Sequence, residues 1–530
     1  MSAPFVTLDG LSYSTPDGRR LIDDLTLAFG PERIGLVGRN GVGKTTLIRL
    51  ILGELTPAAG AVSIQGRIGV LRQMVEPPPA ARVADLMGLG EPLSRLARLE
   101  AGAGDERDLA EADWTLPARL EAALVRVGLA GLDPLRRAAS LSGGEATRAA
   151  LAGLLVQAPD MLILDEPTNN LDAEARALVA EVLAQWRGGA IVVSHDRELL
   201  RQTDQILELS GLGARLYGGN YDLYAARKAQ EQATAEQTLE TAARDLARAG
   251  RDAQRDRERK ARRDAGGRRF AARGSEPKIL LGARAEQAEN SGGRQNLLAE
   301  RRREALSARL AEAQGAVEQV RRLGFDLPSC GLAAGRRVLT LDKVAYSLAD
   351  GRRLFEDLSL DIAGPDRVAI VGPNGSGKTT LLKLASGEIT PQAGTARRWV
   401  PAAVFDQQAA MLRPQETLRE AFLRLNPDAD ANAAHAALAR FLFRNSAADR
   451  RVASLSGGER LRAALACVLM ARTPPQLLIL DEPSNHLDLD SLAAVEVALR
   501  DYDGALLIVS HDRDFLAGVG VEREIRLNPG

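Results

Sequence analysis

Four short motifs run along this chain in a fixed order, and then the same four run along it again. Gly38-Arg-Asn-Gly-Val-Gly-Lys-Thr45 returns as Gly372-Pro-Asn-Gly-Ser-Gly-Lys-Thr379, and Leu141-Ser-Gly-Gly-Glu145 returns as Leu455-Ser-Gly-Gly-Glu459. Met161-Leu-Ile-Leu-Asp-Glu-Pro-Thr168 returns as Leu477-Leu-Ile-Leu-Asp-Glu-Pro-Ser484, and Ser194-His-Asp-Arg197 as Ser510-His-Asp-Arg513. A chain written this way folds as two copies of one domain. With 530 residues to divide, each copy is large enough to bury its own core.

The offsets locate what the copies do not share. Lys44 and Lys378 lie 334 residues apart, as do Gln73 and Gln407, whereas Glu145 and Glu459 lie 314 apart and His195 and His511 lie 316 apart. The first copy therefore carries 20 extra residues ahead of its second motif, roughly within 88–117. Its Ala/Gly/Asp-rich piece, Ala101 to Glu111, reads as a surface excursion. Between the copies, Leu239, Ala242, Leu246, Ala249 and Ala253 follow the three-and-four spacing of a helix with a narrow apolar seam. Leu306, Leu310, Ala313, Val317 and Val320 do the same. Gly266-Gly267, Gly274, Pro277 and Gly292-Gly293 break helix propensity between the two runs. The reading is an antiparallel helical hairpin with an irregular, basic tip near 266–296. Domain limits are expected at 1–221, 222–335 and 336–530.

The net charge of −1 conceals an uneven distribution. Residues 244–303 hold 18 Lys or Arg against 9 Asp or Glu, a net of +9, which leaves −10 on the other 470. A basic segment between acidic halves predicts a polyanion contact confined to the linker. The two cysteines, Cys330 and Cys467, support neither a disulfide framework nor a zinc cluster. No apolar run reaches the ~18–20 residues that cross a bilayer, and the first ten residues do not read as a signal peptide. A cytoplasmic location is expected.

Gly38–Thr45 follows the apolar run Ile34-Gly-Leu-Val37 and precedes a helical run from Thr46, the context a phosphate-binding loop requires. Gly38, Gly41 and Gly43 let backbone N–H groups turn inward around phosphates, and the helix N-terminus adds positive potential. Lys44 is expected to reach the β- and γ-phosphates of ATP and Thr45 to ligate Mg²⁺, with Asn40 and Thr46 completing the nucleotide-binding loop. Gly372, Asn374, Gly375, Gly377, Lys378, Thr379 and Thr380 repeat these positions. Asp165 and Asp481 each end an apolar strand and are expected to hold Mg²⁺ through water. Glu166 and Glu482 would orient or deprotonate the attacking water. His195 and His511 also end apolar strands and are candidate γ-phosphate sensors. Gln73 and Gln407 are candidates to sense Mg²⁺ or the γ-phosphate. Tyr13 and Tyr346 are candidates to stack on adenine, with a plain strand aromatic as the alternative.

Ser142, Gly143 and Gly144, repeated as Ser456, Gly457 and Gly458, would open a helix whose N-terminus receives an anion. A domain that already has a phosphate loop needs no second anion site, whereas a second domain facing it does. The economical arrangement is a head-to-tail sandwich pairing Lys44 with Ser456 and Lys378 with Ser142, within one chain acting as a monomer.

These motifs resemble the ATP-binding-cassette superfamily in both halves. Two cassettes fused without membrane segments and joined by a charged helical linker resemble the ABC-F family of translation factors. That family's Glu-Pro-Thr-Asn-His-Leu-Asp motif is matched by Glu482-Pro-Ser-Asn-His-Leu-Asp488 and Glu166-Pro-Thr-Asn-Asn-Leu-Asp172, with Ser484 and Asn170 as departures. Tyr217-Gly-Gly-Asn-Tyr-Asp-Leu-Tyr224 is similar to the family's lead-in to its linker. The resemblance implies an α/β fold in which each cassette has a parallel core sheet, an antiparallel β subdomain and a helical subdomain. It also implies ATP and Mg²⁺ as cofactors, ATP hydrolysis, and binding of the ribosome and tRNA in the ATP-closed state. The linker then reaches toward peptidyl-tRNA and the peptidyl-transferase centre, and the basic segment suits RNA. Two alternatives stay open: a transporter's ATPase subunit, and a nucleic-acid ATPase without a ribosomal role.

Overall fold

The computed structural model describes residues 4–72, 80–169, 171–211, 213–271, 300–313, 327–406, 409–443, 445–485 and 487–528. The first copy contains β1 (Val6–Ser14), β2 (Arg20–Phe29), β3 (Arg33–Gly38), β4 (Ala59–Ile64), β5 (Ile68–Leu71), β6 (Met161–Asp165), β7 (Gly189–Val193), β8 (Gln205–Ser210) and β9 (Gly213–Gly218). The second contains β10 (Arg337–Ser347), β11 (Arg353–Ala363), β12 (Arg367–Val371), β13 (Ala393–Arg398), β14 (Ala402–Phe405), β15 (Leu477–Asp481), β16 (Ala505–Val509) and β17 (Arg523–Arg526).

Two kinds of sheet follow from two kinds of strand sequence. Continuous runs such as Met161-Leu-Ile-Leu and Ala505-Leu-Leu-Ile-Val are buried on both faces, as parallel strands covered by helices must be. They form the core sheets β5-β6-β7-β3-β8-β9 and β14-β15-β16-β12-β17. These are parallel throughout except for β9, which returns antiparallel beside β8. The longer β1, β2 and β4, and likewise β10, β11 and β13, mix buried with exposed positions and pair as small antiparallel sheets. The expected parallel-core, antiparallel-β and helical parts are thus present in each cassette. Their strand ends carry the motifs: β3 and β12 run into the phosphate loops, β6 and β15 end in the acids, and β7 and β16 lead to the histidines.

The 20-residue excess is more ordered than a surface excursion. It forms helices Gly90–Glu100 and Glu106–Ala110, with Leu96 buried against the helical subdomain, and leads into helix Leu116–Arg126, the counterpart of Ala431–Arg440 in the second cassette. Asp108 holds the short helix in place, accepting from Arg98 Nε at 2.9 Å and Nη2 at 2.6 Å. The turn at Ala101–Ala103 stays exposed.

Residues Met1–Tyr224 and Leu323–Gly530 make one compact unit, and Ala225–Arg322 make another. In the second unit the helix that begins at Tyr221 continues to Ala271, passing through Gly266-Gly267, which therefore do not start the tip. A glycine pair costs a helix about 2 kcal/mol, and the Arg, Lys and Ala residues on both sides supply helix propensity against it. Ala242 is buried, Leu246, Ala249 and Ala253 are half-covered, and Ala313 of the 300–313 helix lies beside Gln230, Thr234 and Thr238. Arg244, Arg248, Arg251, Arg255, Arg259 and Arg262 are all exposed, two residues out of phase with the seam. At 100° per residue that places an arginine stripe on the face opposite it. Val317, Val320, Gly274, Pro277 and Gly292-Gly293 lie outside the described residues.

Candidate active site

Each phosphate loop is shaped by glycines at positions that crowd or strain a side chain. Gly38 and Gly372 close their strands so tightly that a Cβ would sit 2.3 Å from the Leu209 carbonyl oxygen and 2.5 Å from that of Leu527. Gly41, Gly43, Gly375 and Gly377 take positive φ, Gly43 and Gly377 as N-caps of helices Lys44–Ile51 and Lys378–Ser386. Both lysines are buried and fold back onto their own loops. Lys44 Nζ donates to the Gly38 carbonyl at 2.6 Å, and Lys378 Nζ donates to that of Gly372 at 2.9 Å. Burial pushes both ammonium groups below their ordinary range, against the pull of Glu166 and Glu482.

The acids meet these loops from the neighbouring strand. Thr379 Oγ1 donates to Asp481 Oδ2 at 2.9 Å, and Thr45 and Asp165 line one cavity with Lys44. Glu166 and Glu482 sit at φ 48° and 47°, a conformation that strains any residue with a Cβ. They are held there by backbone N–H donation to Val193 and Val509. Burial raises Glu166 to about 8 against the pull of Lys44, and Glu482 to about 7 against Arg176 and Lys378. His195 Nε2 lies 3.3 Å from Glu166 Oε1, and His511 Nε2 lies 3.4 Å from Glu482 Oε1. Burial drives these imidazoles down to about 3 and about 4. Both ring nitrogens of His195, Nε2 of His511 and Oε2 of Glu482 are buried without a hydrogen-bond partner. Polar atoms left this way at the end of a phosphate loop fit a ligand that brings its own hydrogen-bonding oxygens.

The two cassettes meet at both phosphate loops. Asp172 and Asp488 each cap the helix that follows, accepting from Ala175 N–H at 3.0 Å and Ser491 N–H at 2.8 Å. The second oxygen of each crosses to the opposite phosphate loop: Asp488 Oδ2 accepts from Asn40 N–H at 2.9 Å, and Asp172 Oδ2 from Asn374 N–H at 3.2 Å. Burial works against the charge on Asp172, but the N–H groups of Ala175 and Asn374 outweigh it and hold the carboxyl below its usual range. Gly457, of the second cassette, lines a cavity of about 430 Å³ with Lys44, Thr46, Asp165, Glu166 and His195 of the first. Ser142 and Ser456 stand at the N-caps of helices Gly143–Gln157 and Gly457–Leu469, each in a capping box with Glu145 or Glu459.

An ATP-binding-cassette pair is the architecture these contacts describe, and comparison with known proteins agrees. The family described as ABC transporter matches residues 23–169 and 355–485. The ATP-binding protein Uup of Haemophilus influenzae is 34% identical over 95% of this chain and 76% of its own length. The tylosin resistance ATP-binding protein TlrC of Streptomyces fradiae is 33% identical over 94% and 93%. The energy-dependent translational throttle protein EttA of Mycobacterium tuberculosis is 32% identical over 94% and 87%. An ABC transporter F family member of Arabidopsis thaliana is 31% identical over 94% and 71%. The chain belongs to the ABC-F family. It binds ATP and hydrolyses it. Among solved structures, an archaeal ribosome recycling factor shares the fold at a TM-score of 0.60 and 19% identity, covering 98% of this chain and 87% of that one. Among the described residues no helix is long and apolar enough to cross a membrane.

Tyr13 and Tyr346 are half-buried and pack against the cores under the antiparallel sheets. Leu21 lines the cavity beside Lys44, and its counterpart Phe355 lies against Gly377. Gln73, Gln407, Asn170 and His486 lie outside the described residues. Sequence reading passed over Leu21, Phe355, Asp172, Asp488 and Asn485 as site residues. For the two aspartates the available signal was their place as N-caps just after the acidic motif.

Proposed function

We propose that this ABC-F ATPase is a clamp that closes on two ATP molecules and, closed, binds the ribosome and sets its linker against RNA. The reciprocal bonds from Asp488 to Asn40 and from Asp172 to Asn374 carry this reading, because they join each phosphate loop to the other cassette. One site pairs Lys44, Thr45 and Thr46 with Ser456, Gly457 and Gly458. The other pairs Lys378, Thr379 and Thr380 with Ser142, Gly143 and Gly144. Mg²⁺ would be held by Thr45 or Thr379, with Asp165 or Asp481 behind its water, and would neutralise charge on the phosphates. Glu166 and Glu482 orient and deprotonate the attacking water, and their raised basicity suits that task. His195 and His511, neutral at physiological pH, donate a hydrogen bond toward the γ-phosphate position. Hydrolysis cleaves off the γ-phosphate, its departure as inorganic phosphate removes charge that holds the cassettes together, and the clamp reopens.

The ribosomal part rests on two supports. One relative is named as a translational throttle, and the exposed arginine stripe from Arg244 to Arg262 suits a phosphate backbone. Sedimentation with purified ribosomes tests it. The Glu166→Gln, Glu482→Gln variant should pellet with ribosomes when ATP is present and stay in solution without it. Replacing the stripe arginines by glutamine should abolish pelleting. An ATP-bound double variant that ignores ribosomes would overturn the proposal.

A further inference from the structure

The first cassette lends the second an arginine, Arg176, whose counterpart in the second cassette is a leucine. Arg176 lies on the helix Ala173–Gln185 that Asp172 caps, and its side chain is 13% exposed. Its own cassette grips it twice, through Nε to the Leu171 carbonyl at 3.1 Å and through Nη1, 3.8 Å from Asp196 Oδ2. Its remaining nitrogen, Nη2, donates across the interface to Asn485 Oδ1 at 3.3 Å. Asn485 closes the turn after the second acidic motif, donating its N–H to the Glu482 carbonyl at 3.2 Å. Glu482 is the residue held at φ 47°. A turn that keeps a side chain in a strained conformation needs support from its surroundings, and here part of that support comes from the other cassette. The guanidinium is also the largest charge influence on Glu482, and it acts on His511.

Among the described residues the first site shows no such donor. By the 316-residue offset that relates His195 to His511, Arg176 corresponds to Leu492, which is buried in the hydrophobic core of the second cassette. The Asn169–Glu166 turn has the same backbone bond, at 3.3 Å. Its counterpart cassette therefore offers it an apolar side chain turned inward.

We infer that Arg176 is a positioning residue supplied in trans for hydrolysis at the Lys378 site, holding the Glu482 turn when the cassettes are closed. The assignment rests on Glu482 being the base of that site. Cassette closure then completes the second site in a way the first does not require. Unequal turnover follows from one residue.

The test uses full-length protein in two backgrounds: Glu166→Gln, where turnover reports the Glu482 site, and Glu482→Gln, where it reports the Glu166 site. Arg176→Leu should lower kcat about tenfold in the first background with KM within about twofold, and Arg176→Lys should recover part of the loss. The loss should be at least about fivefold larger there than in the second background. Asn485→Ala, which removes the acceptor and leaves the arginine packed, should reproduce the kcat loss if Arg176→Leu folds poorly. Equal losses in both backgrounds, a change confined to KM, or no change with either variant would overturn the inference. Undiminished turnover in the Glu166→Gln, Glu482→Gln double variant would instead overturn the assignment of the bases.

Discussion

At the Lys44 site, Asn40 meets Asp488 through its N–H while Arg39 reaches Asp490 at 2.8 Å. At the Lys378 site, Asn374 meets Asp172 in the same way, but Pro373 stands where Arg39 does and has no charge to offer Glu174. Further from the nucleotides the contrast grows. Arg197 pairs with Glu496 at 2.8 Å with both side chains nearly covered, and Arg201 pairs with Asp514 at 2.7 Å. By the same offset the reverse pairs would be Arg513 with Ala180 and Ala517 with Glu198, which form no ion pair. The repeat carries the phosphate-loop, acidic and histidine motifs alike in both copies. The surfaces where the copies meet differ, so the motifs are symmetric while the ion pairs between the cassettes are not.

The shared chemistry is broken most severely at the bases. Glu166→Gln with Glu482→Gln should cut ATP turnover by about two to four orders of magnitude, while each single variant retains a measurable and unequal rate in a steady-state phosphate-release assay. The mechanical difference should show in stability. Arg197→Ala leaves Glu496 buried and unpaired, a loss of about 3 kcal/mol, whereas Arg513→Ala, at an exposed position, should stay within about 0.5 kcal/mol. Denaturant unfolding of the two variants checks this directly, and equal losses would dissolve the contrast.

Asp488→Ala and Asp172→Ala sharpen the comparison between sites. Each should remove an N-cap worth about 1 kcal/mol and weaken ATP binding about tenfold at the opposite phosphate loop. Equilibrium binding to single-site variants would show which loop suffers. The smallest effect belongs to the insertion found in the first cassette alone. Hydrogen bonding to Arg98 holds the Asp108 carboxyl down at about 2, so its stabilisation is present above the unfolded carboxylate value of about 4. It is lost as pH falls from there through the folded value. The urea midpoints of the wild type and Asp108→Asn should therefore differ at neutral pH and converge under acid.

What could be read from the sequence was what lies close together along the chain. Gly38 to Thr45, the acids after β6 and β15, and the histidines after β7 and β16 announce themselves, because a strand end, a tight loop and a helix start are local events. Asp172 and Asp488 were visible as parts of a motif, but their second oxygens do their work across the interface, and no spacing encodes that. Arg176 was silent for the same reason: beside Ala175 and Ala177 it reads as one more helix-surface arginine. Tyr13 and Tyr346, the candidate adenine stackers, lie beside bulged registers and pack half-buried against the cores under the antiparallel sheets. The break expected at Gly266-Gly267 failed because helix propensity is summed over a window, and two glycines were outvoted.

The central claim is that each ATP is held by one cassette's phosphate loop and the other cassette's signature helix. Retention of labelled ATP by the Glu166→Gln, Lys378→Ala protein, in which the Lys44 site alone can hold nucleotide, tests it most directly. Gly457→Asp in that background should place a carboxylate against the phosphates and reduce retention at least about tenfold, a far larger loss than Gly143→Asp causes. The opposite order, with Gly143→Asp emptying the Lys44 site and Gly457→Asp sparing it, would contradict the account.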